Sequence, residues 1–428
     1  MVGNGNMTKF NKTFKNGLRV FLDQNEKDVV AISILFFVGS QNEEKHEQGY
    51  SHFIEHLNFK SSSKFSTEDI MDKLTLYGAD YNAYTAKTVT RYTFKCLKEN
   101  FEKCFEIYAD MLVSAKFDNE EIDKERGVVV EEMQKCADDP VQVLYERVLK
   151  NYYGEHPFAH DELGTEEIIT NVSREELLEY KHRFYKPENC IVSVAGNIDF
   201  DELCTIVDRY FASHFDYEAK HYTVNFDRYE VALEKQYDTI ERSDNQANVC
   251  VHIKSVQSGD PDKCVADIYT SILGNSQNSR LFKLIREELG LVYTIYAFND
   301  AGPNTGEIFI LFGTRPKNVK KAVKEIRKVI VDMAENGITD AELERAVNWK
   351  KSCIAYSSET NADLAEINCT YAHLYNVTMS LEDRAKLYDN ITTEKVNAFA
   401  KRIASETIFN VVAVGKNIKI EDIKVYKN

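Results

Sequence analysis

His52 and His56 stand four residues apart in the segment Gly49-Tyr50-Ser51-His52-Phe53-Ile54-Glu55-His56-Leu57-Asn58-Phe59, with Glu55 directly before the second histidine. On a helix, residues four apart lie one above the other, so the two imidazoles can chelate one ion. Glu55 follows His52 by three and lies on the same side, where its carboxylate can take a proton from water bound to that ion. The pattern HxxEH reverses the zinc-binding HExxH. Phe53, Ile54 and Leu57 make the rest of the segment apolar, which argues against a solvated face carrying two incidental histidines.

Two histidines and a water leave a tetrahedral Zn²⁺ one protein ligand short, so a carboxylate or thiolate must come from elsewhere. The segment DNEEIDKERGVVVEEMQ, from Asp118 to Gln134, reads as a helix that can supply it. Glu125 and Glu132 are seven apart, two turns, and share nearly one face, whereas Glu131 points about 100° away from Glu132. If Glu125 orients a histidine through its second ring nitrogen, Glu132 is the position that coordinates beside it. Zinc brings the pKa of bound water from about 15.7 to near 7. With Glu55 taking that proton and passing it to the leaving amine, a peptide bond is hydrolysed without a covalent intermediate.

The elements that position these groups follow from a repeat. Val172 to Asn197 lies over Ile391 to Lys416 without a gap, an offset of 391 − 172 = 219. Each copy reads as a helix capped by Ser173 or Thr392, followed by an apolar strand ending at Gly196 or Gly415. IMDKLTLYG (Ile70 to Gly78) echoes LFKLIREELG (Leu281 to Gly290), and DNEEIDKER echoes TDAELERAV (Thr339 to Val347). Strands are expected at Leu18 to Leu22, Val29 to Val38, Gln236 to Ile240 and Ala247 to Ile253, with long helices after them in each half. The expected fold class is α+β: two homologous two-layer α/β sandwich domains in tandem, 1–220 and 221–428. The join between Phe215 and Glu234 has no Pro or Gly and is expected to be ordered, while MVGNGN before Met7 carries no pattern.

Composition narrows the function. With 53 Lys+Arg against 69 Asp+Glu the chain carries −16, which argues against a nucleic-acid binder and is compatible with cationic ligands, peptides included. The nine cysteines are odd in number and scattered without a CxxC, and so read as reduced residues of a cytoplasmic protein. The longest apolar run, Val29 to Val38, is too short to span a bilayer, so no membrane is expected. His156 and His160 are also four apart, but Pro157 follows the first, and a turn fits better than a second metal helix. Asn171-Val172-Ser173 and Asn368-Cys369-Thr370 match glycosylation acceptors that have no meaning without a secretory signal.

HFIEH followed by Glu132, 76 residues beyond His56, resembles the inverzincin peptidases of the pitrilysin type, which include insulin-degrading enzyme and the mitochondrial processing peptidase. The likeness runs through KNGLRV, FVGS, YNAYT, KERGVVVEEM, YGEHPFAHDELG and GLVYTIY, and departs where the family continues FKGT, since Phe59-Lys60 is here followed by Ser61-Ser62-Ser63. The resemblance implies one Zn²⁺ per chain held by His52, His56 and Glu132, with Glu55 as general base and Glu125 behind the ligands. In the second half, Arg286 and Tyr293 resemble the pair that the family places across the chamber from the metal. Tyr293 would donate to the oxyanion and Arg286 to a substrate carbonyl. Asn82, Ala83 and Tyr84 resemble its substrate-edge strand, accepting an extended peptide by main-chain pairing.

The second half has nothing like HxxEH between Asp267 and Ser279, so one metal site per chain is expected. The length is that of the shorter, bacterial-type members, which work as dimers of two-domain chains. The expected activity is a zinc endopeptidase acting on short, unstructured peptides in a closed chamber. The rivals are a catalytically silent family member and a heterodimer in which a homologous chain supplies the Arg and Tyr. The sequence leaves leader-peptide removal and general peptide turnover equally open.

Overall fold

The computed structural model describes residues 8–215, 229–375 and 378–424. The join expected to be ordered between Phe215 and Glu234 falls mostly outside these residues, as does MVGNGN. The fold is mixed α and β, built on two sheets in two compact units.

The first sheet contains β1 (Thr8–Thr13), β2 (Arg19–Gln24), β3 (Val29–Phe36), β4 (Asp80–Thr85), β5 (Thr90–Leu97) and β6 (Cys190–Gly196), in the order β1-β2-β6-β3-β5-β4. β2 and β6 run parallel and every other pair is antiparallel. The second contains β7 (Tyr237–Glu241), β8 (Ala247–Lys254), β9 (Val292–Asp300), β10 (Glu307–Thr314) and β11 (Phe409–Gly415), in the order β7-β11-β8-β10-β9 with β7 and β11 parallel. Without β1, the two orders are the same topology, strand for strand.

The aligned repeat is reproduced in detail. Ser173 caps the helix Arg174–Phe184 by accepting from the Glu176 amide, and Thr392 caps Thr393–Ser405 by accepting from the Lys395 amide. Gly196 and Gly415 close β6 and β11 at φ +145° and +156°. A Cβ on Gly196 would lie 2.8 Å from the Val30 Cα, and one on Gly415 would lie 3.0 Å from the Ala247 Cα, so both positions need glycine. The echoed helices also appear, as Thr67–Leu76 before β4 and Asn119–Asp138 in the first half. Their counterparts are Phe282–Glu288 before β9 and Asp340–Tyr356. The Phe282–Glu288 turn is wound as a π-helix rather than an α-helix.

The compact units do not follow the halves of the repeat. One comprises Met1–Gln134, His160–Val224 and Tyr356–Met379, and the other Lys135–Ala159, Asn225–Ala355 and Ser380–Asn428. The helix Asn361–Tyr375, from the second half of the sequence, covers the face of the first sheet opposite its other helices. Leu35, Phe37 and Ile191 pack there on Cys369 and Ala372, and Ala195 on Leu364 and Ala365. In return Pro140–Tyr153, from the first half, covers the second sheet, where Leu144, Val148 and Tyr152 meet Cys250, Phe309 and Val412. Central strands are thus buried on both faces, which explains why Val29 to Val38 is apolar without alternation.

His252 on β8 lies in this second interface, its ring against Tyr152 and Phe309 at 4.3 and 4.7 Å, and neither ring nitrogen has a hydrogen-bond partner among the described residues. Burial pushes its pKa from 6.5 down to about 3. Between those values the unfolded chain takes up a proton that the folded chain refuses, so stability falls as pH falls through the window. His252→Phe should lose about 2 kcal/mol less stability than the unsubstituted chain between pH 7 and pH 5. Urea unfolding of both proteins at the two pH values measures the difference.

Candidate metal centre

The helix Tyr50–Asn58 buries Tyr50, Phe53, Ile54 and Leu57 in the core of the first unit, which turns His52, Glu55 and His56 to its other side. Its start is fixed by Gly49 at φ +92°, where a Cβ would come within 2.5 Å of the Leu163 carbonyl oxygen. Buried Glu43 accepts from the amides of Gly49 and Ser51, both at 2.8 Å, and satisfies donors that the first helical turn leaves open. Burial raises its pKa to about 8, against the pull of those amides.

The Nε2 atoms of His52 and His56 lie 3.7 and 3.5 Å from Glu132 Oε2. One ligand atom from each of these residues falls within 4.8 Å of the others, the only such group of three among the described residues. Glu132 and Glu125 project from Asn119–Asp138, with Glu125 buried and Glu131 turned out to solvent. Glu125 Oε2 lies 3.1 Å from His56 Nδ1, which leaves the ring's Nε2 to face Glu132. The His52 Nδ1 is buried with no partner among the described residues. Two imidazoles and a carboxylate converging at this spacing fit the donor set of Zn²⁺.

Two residues that the sequence did not mark complete the arrangement. Thr85, the last residue of β4, donates to Glu55 Oε2 at 2.6 Å. Lys60 places its ammonium 2.7 Å from Glu125 Oε1, the oxygen that His56 does not use. Lys60 follows His56 by one helical turn and so carried a readable signal, but Thr85 is brought in by packing of β4 beside the helix, thirty residues along the chain from Glu55. The serines that replace the family's FKGT are also tied down. Ser61 Oγ donates to Glu121 Oε2 at 2.6 Å, and Ser62 and Ser63 donate to Asp110 at 2.6 and 2.9 Å.

The charges are set by these contacts. Burial, with the neighbouring His56 ring, lowers His52 to about 3, so it is neutral and able to ligate. Burial works the same way on His56, but its hydrogen bond to Glu125 and the nearby carboxylates of Glu55, Glu125 and Glu132 outweigh that and raise it. Glu55 is raised chiefly by burial, against the Thr85 hydrogen bond and the His56 charge, with Glu132 adding to the rise. For Glu125 burial is outweighed by hydrogen bonds from His56 and Lys60, and its carboxyl lies below the ordinary range.

The remaining expected residues are placed as follows. Asn82, Ala83 and Tyr84 lie on β4, the edge strand of the first sheet. Arg286 lies in the π-helical turn with its guanidinium 4.5 Å over the Phe282 ring. Tyr293 lies on β9, the edge strand of the second sheet, half exposed, and its hydroxyl accepts from Arg315 Nε at 2.8 Å. Arg315 was not marked in the sequence. His156 sits in a turn, its Nδ1 accepting from the Phe158 amide and its ring 4.1 Å from Tyr229, and belongs to no metal group.

Comparison with known proteins identifies the family. Residues 19–166 match the profile described as insulinase, peptidase family M16, and residues 171–348 match the peptidase M16 inactive domain. The chain belongs to peptidase family M16, the insulinase or pitrilysin family. It is 30% identical to the uncharacterized zinc protease YmxG of Bacillus subtilis (strain 168), over 92% of this chain and 95% of that one. It is 27% identical to an uncharacterized zinc protease of Rickettsia felis, over 94% and 96%. Among solved structures it superposes with TM-score 0.87 on a protease from Helicobacter pylori, at 22% identity over 96% of this chain and 99% of that one. A peptidase M16 inactive domain from Pseudomonas fluorescens gives 0.87 at 18%, over 96% and 98%. No helix among the described residues is long and apolar enough to cross a membrane.

Removing Glu125 frees His56 to rotate. Glu125→Gln is expected to weaken zinc affinity about ten- to hundredfold, the usual effect of losing a carboxylate behind a histidine ligand. Competition titration against a chromophoric chelator reads this directly.

Proposed function

We propose that this chain is a zinc endopeptidase that hydrolyses short, unstructured peptides, working as a homodimer. The observation that carries the reading is the convergence of His52 Nε2, His56 Nε2 and Glu132 Oε2 on one helix-to-helix junction, with Glu55 held beside it by Thr85. His52, His56 and Glu132 would hold the zinc, which when bound acidifies water and polarises a carbonyl. Glu55, raised by burial, takes a proton at its carboxylate and returns it to the leaving amine. Glu125 keeps the His56 ring oriented, and Lys60 keeps Glu125 charged.

Asn82, Ala83 and Tyr84 offer the free edge of β4 to an extended peptide, whose main chain would add a strand beside the metal helix. Arg286 and Tyr293 would hold substrate carbonyl and oxyanion groups. The silent alternative has support from the match to an inactive-domain profile, but that profile covers the half without HxxEH. A silent chain has no use for the full set of His52, Glu55, His56 and Glu132 together with Thr85 and Glu125. The nine cysteines are all free, as suits a cytoplasmic setting.

Purified protein should contain about one Zn²⁺ per chain, lost in His52→Ala and His56→Ala, while Glu55→Gln keeps the metal and loses hydrolysis. Flexible peptides should be cut and a tightly folded protein spared. Full zinc occupancy in His56→Ala, by metal analysis, would overturn the ligand assignment.

In longer family members four such domains lie on one chain, with the metal in the first and the Arg/Tyr pair in the fourth. A two-domain chain would therefore use Arg286 and Tyr293 of its partner, giving two composite sites per dimer. Mixing Glu55→Gln with Tyr293→Phe should restore activity well above either alone once subunits exchange, because one site regains every residue. Activity equal to the average of the two would place the site within one chain.

A further inference from the structure

Tyr84 and Arg91 form a directly opposed cross-strand pair between β4 and β5, with the guanidinium 5.4 Å over the phenol ring. They lie on the face of the first sheet away from the metal. Alternation along the strands fixes this: Thr85 reaches Glu55 and Tyr92 reaches Asn58 on the metal-helix side. Arg91, by contrast, reaches Glu366 and Thr370 on the covering helix Asn361–Tyr375. Between Tyr84 and that helix is a pocket of about 340 Å³ that also includes Asp363 and Ile367. It opens beside the edge strand, so a peptide paired with β4 would send alternate side chains toward the metal and toward this pocket.

The charge inside the pocket is one cation against two carboxylates. Arg91 is only 5% exposed, and its terminal nitrogens are committed at 2.9 Å each to Glu366 Oε2 and Thr370 Oγ1. An incoming group therefore meets the carboxylates. Glu366 keeps 43% side-chain exposure with one oxygen engaged by Arg91, and half-buried Asp363 uses Oδ2 to accept from Thr360. The remaining oxygen of each has no partner among the described residues. The Tyr84 ring adds an aromatic wall.

We infer that this pocket is a subsite for a cationic peptide side chain, lysine or arginine, one residue displaced along the strand from a side chain that faces the metal. The inference rests on the peptidase reading above and names its substrate class. It also agrees with a chain charge of −16, which draws cationic peptides toward the protein.

The test uses zinc-loaded full-length Glu55→Gln and a labelled, uncharged, unstructured peptide along which a single Lys is moved position by position. Norleucine and Glu replace Lys at each position in control peptides. Fluorescence anisotropy should show one position where Lys binds about fivefold tighter than norleucine, the effect of one partly exposed ion pair, with Glu weaker still and no gain at either adjacent position. The preference should shrink in Asp363→Asn and Glu366→Gln, the latter keeping an acceptor for Arg91, and should fade with salt. Equal binding of Lys and norleucine peptides, or a preference unchanged in both variants, overturns the subsite. The two readings fail separately: unselective cleavage by the wild-type enzyme would sink only the subsite, and charge-selective binding without wild-type cleavage would sink only the peptidase.

Discussion

The hydrogen bond between His56 Nδ1 and Glu125 is the contact on which the site depends. It joins two helices that are distant in sequence and fixes which nitrogen of His56 faces the ligand cluster. Without it the second imidazole could turn, and Glu132, one helix away, would meet only His52. Lys60 on the far oxygen keeps Glu125 ionised and therefore able to accept from the ring. His52 differs, since its Nδ1 has no partner among the described residues. His52 is held by burial at the start of a helix pinned by Glu43, so packing orients it where hydrogen bonding orients His56.

The same contacts separate the chemistry of adjacent groups. Two imidazoles with rings 4.6 Å apart cannot both carry charge cheaply, and the environment drives them in opposite directions. His52 is emptied of its proton by burial and by His56, whereas His56 gains from three carboxylates. Glu55 and Glu125 are likewise pushed apart, one raised by burial and the other lowered by a lysine and a histidine. Groups of one type are thus given divergent proton affinities by their surroundings, across two helices that meet at the site.

The cluster of His52, Glu55, His56, Glu125 and Glu132 could be picked out in the sequence because its spacing is local, four residues along one helix and seven along another, and the structure brings these side chains together. The likeness of the two sheets was legible through the repeat, since Val172 to Asn197 and Ile391 to Lys416 become the same helix, cap, strand and terminal glycine. Thr85 and Arg315 were not, because Thr85 meets Glu55 where β4 packs beside the helix Tyr50–Asn58 and Arg315 meets Tyr293 where β10 pairs with β9, and a lone Thr or Arg has no period. The covering helices were illegible for a related reason. Asn361–Tyr375 and Pro140–Tyr153 carry no mark of their partners, and nothing along the chain says which sheet a helix will cover.

That exchange accounts for the apolar composition of the central strands. A two-layer sandwich needs one apolar sheet face, with alternation along each strand. β3 and β6 are apolar on both, and Leu35, Ile191 and Ala195 would face water if the first half stood alone. The second sheet has the same requirement at Cys250, Phe309 and Val412, met by a helix that precedes it in sequence. The boundary at 220/221 that the repeat marks is thus a boundary of ancestry rather than of stability. Residues 1–220 keep His52, Glu55, His56 and Glu132 but leave behind the helix that covers their own sheet, and with it Asp363 and Glu366. A half-chain built on the repeat would therefore retain the metal motif while losing both the apolar cover of its central strands and one wall of the pocket beside its edge strand.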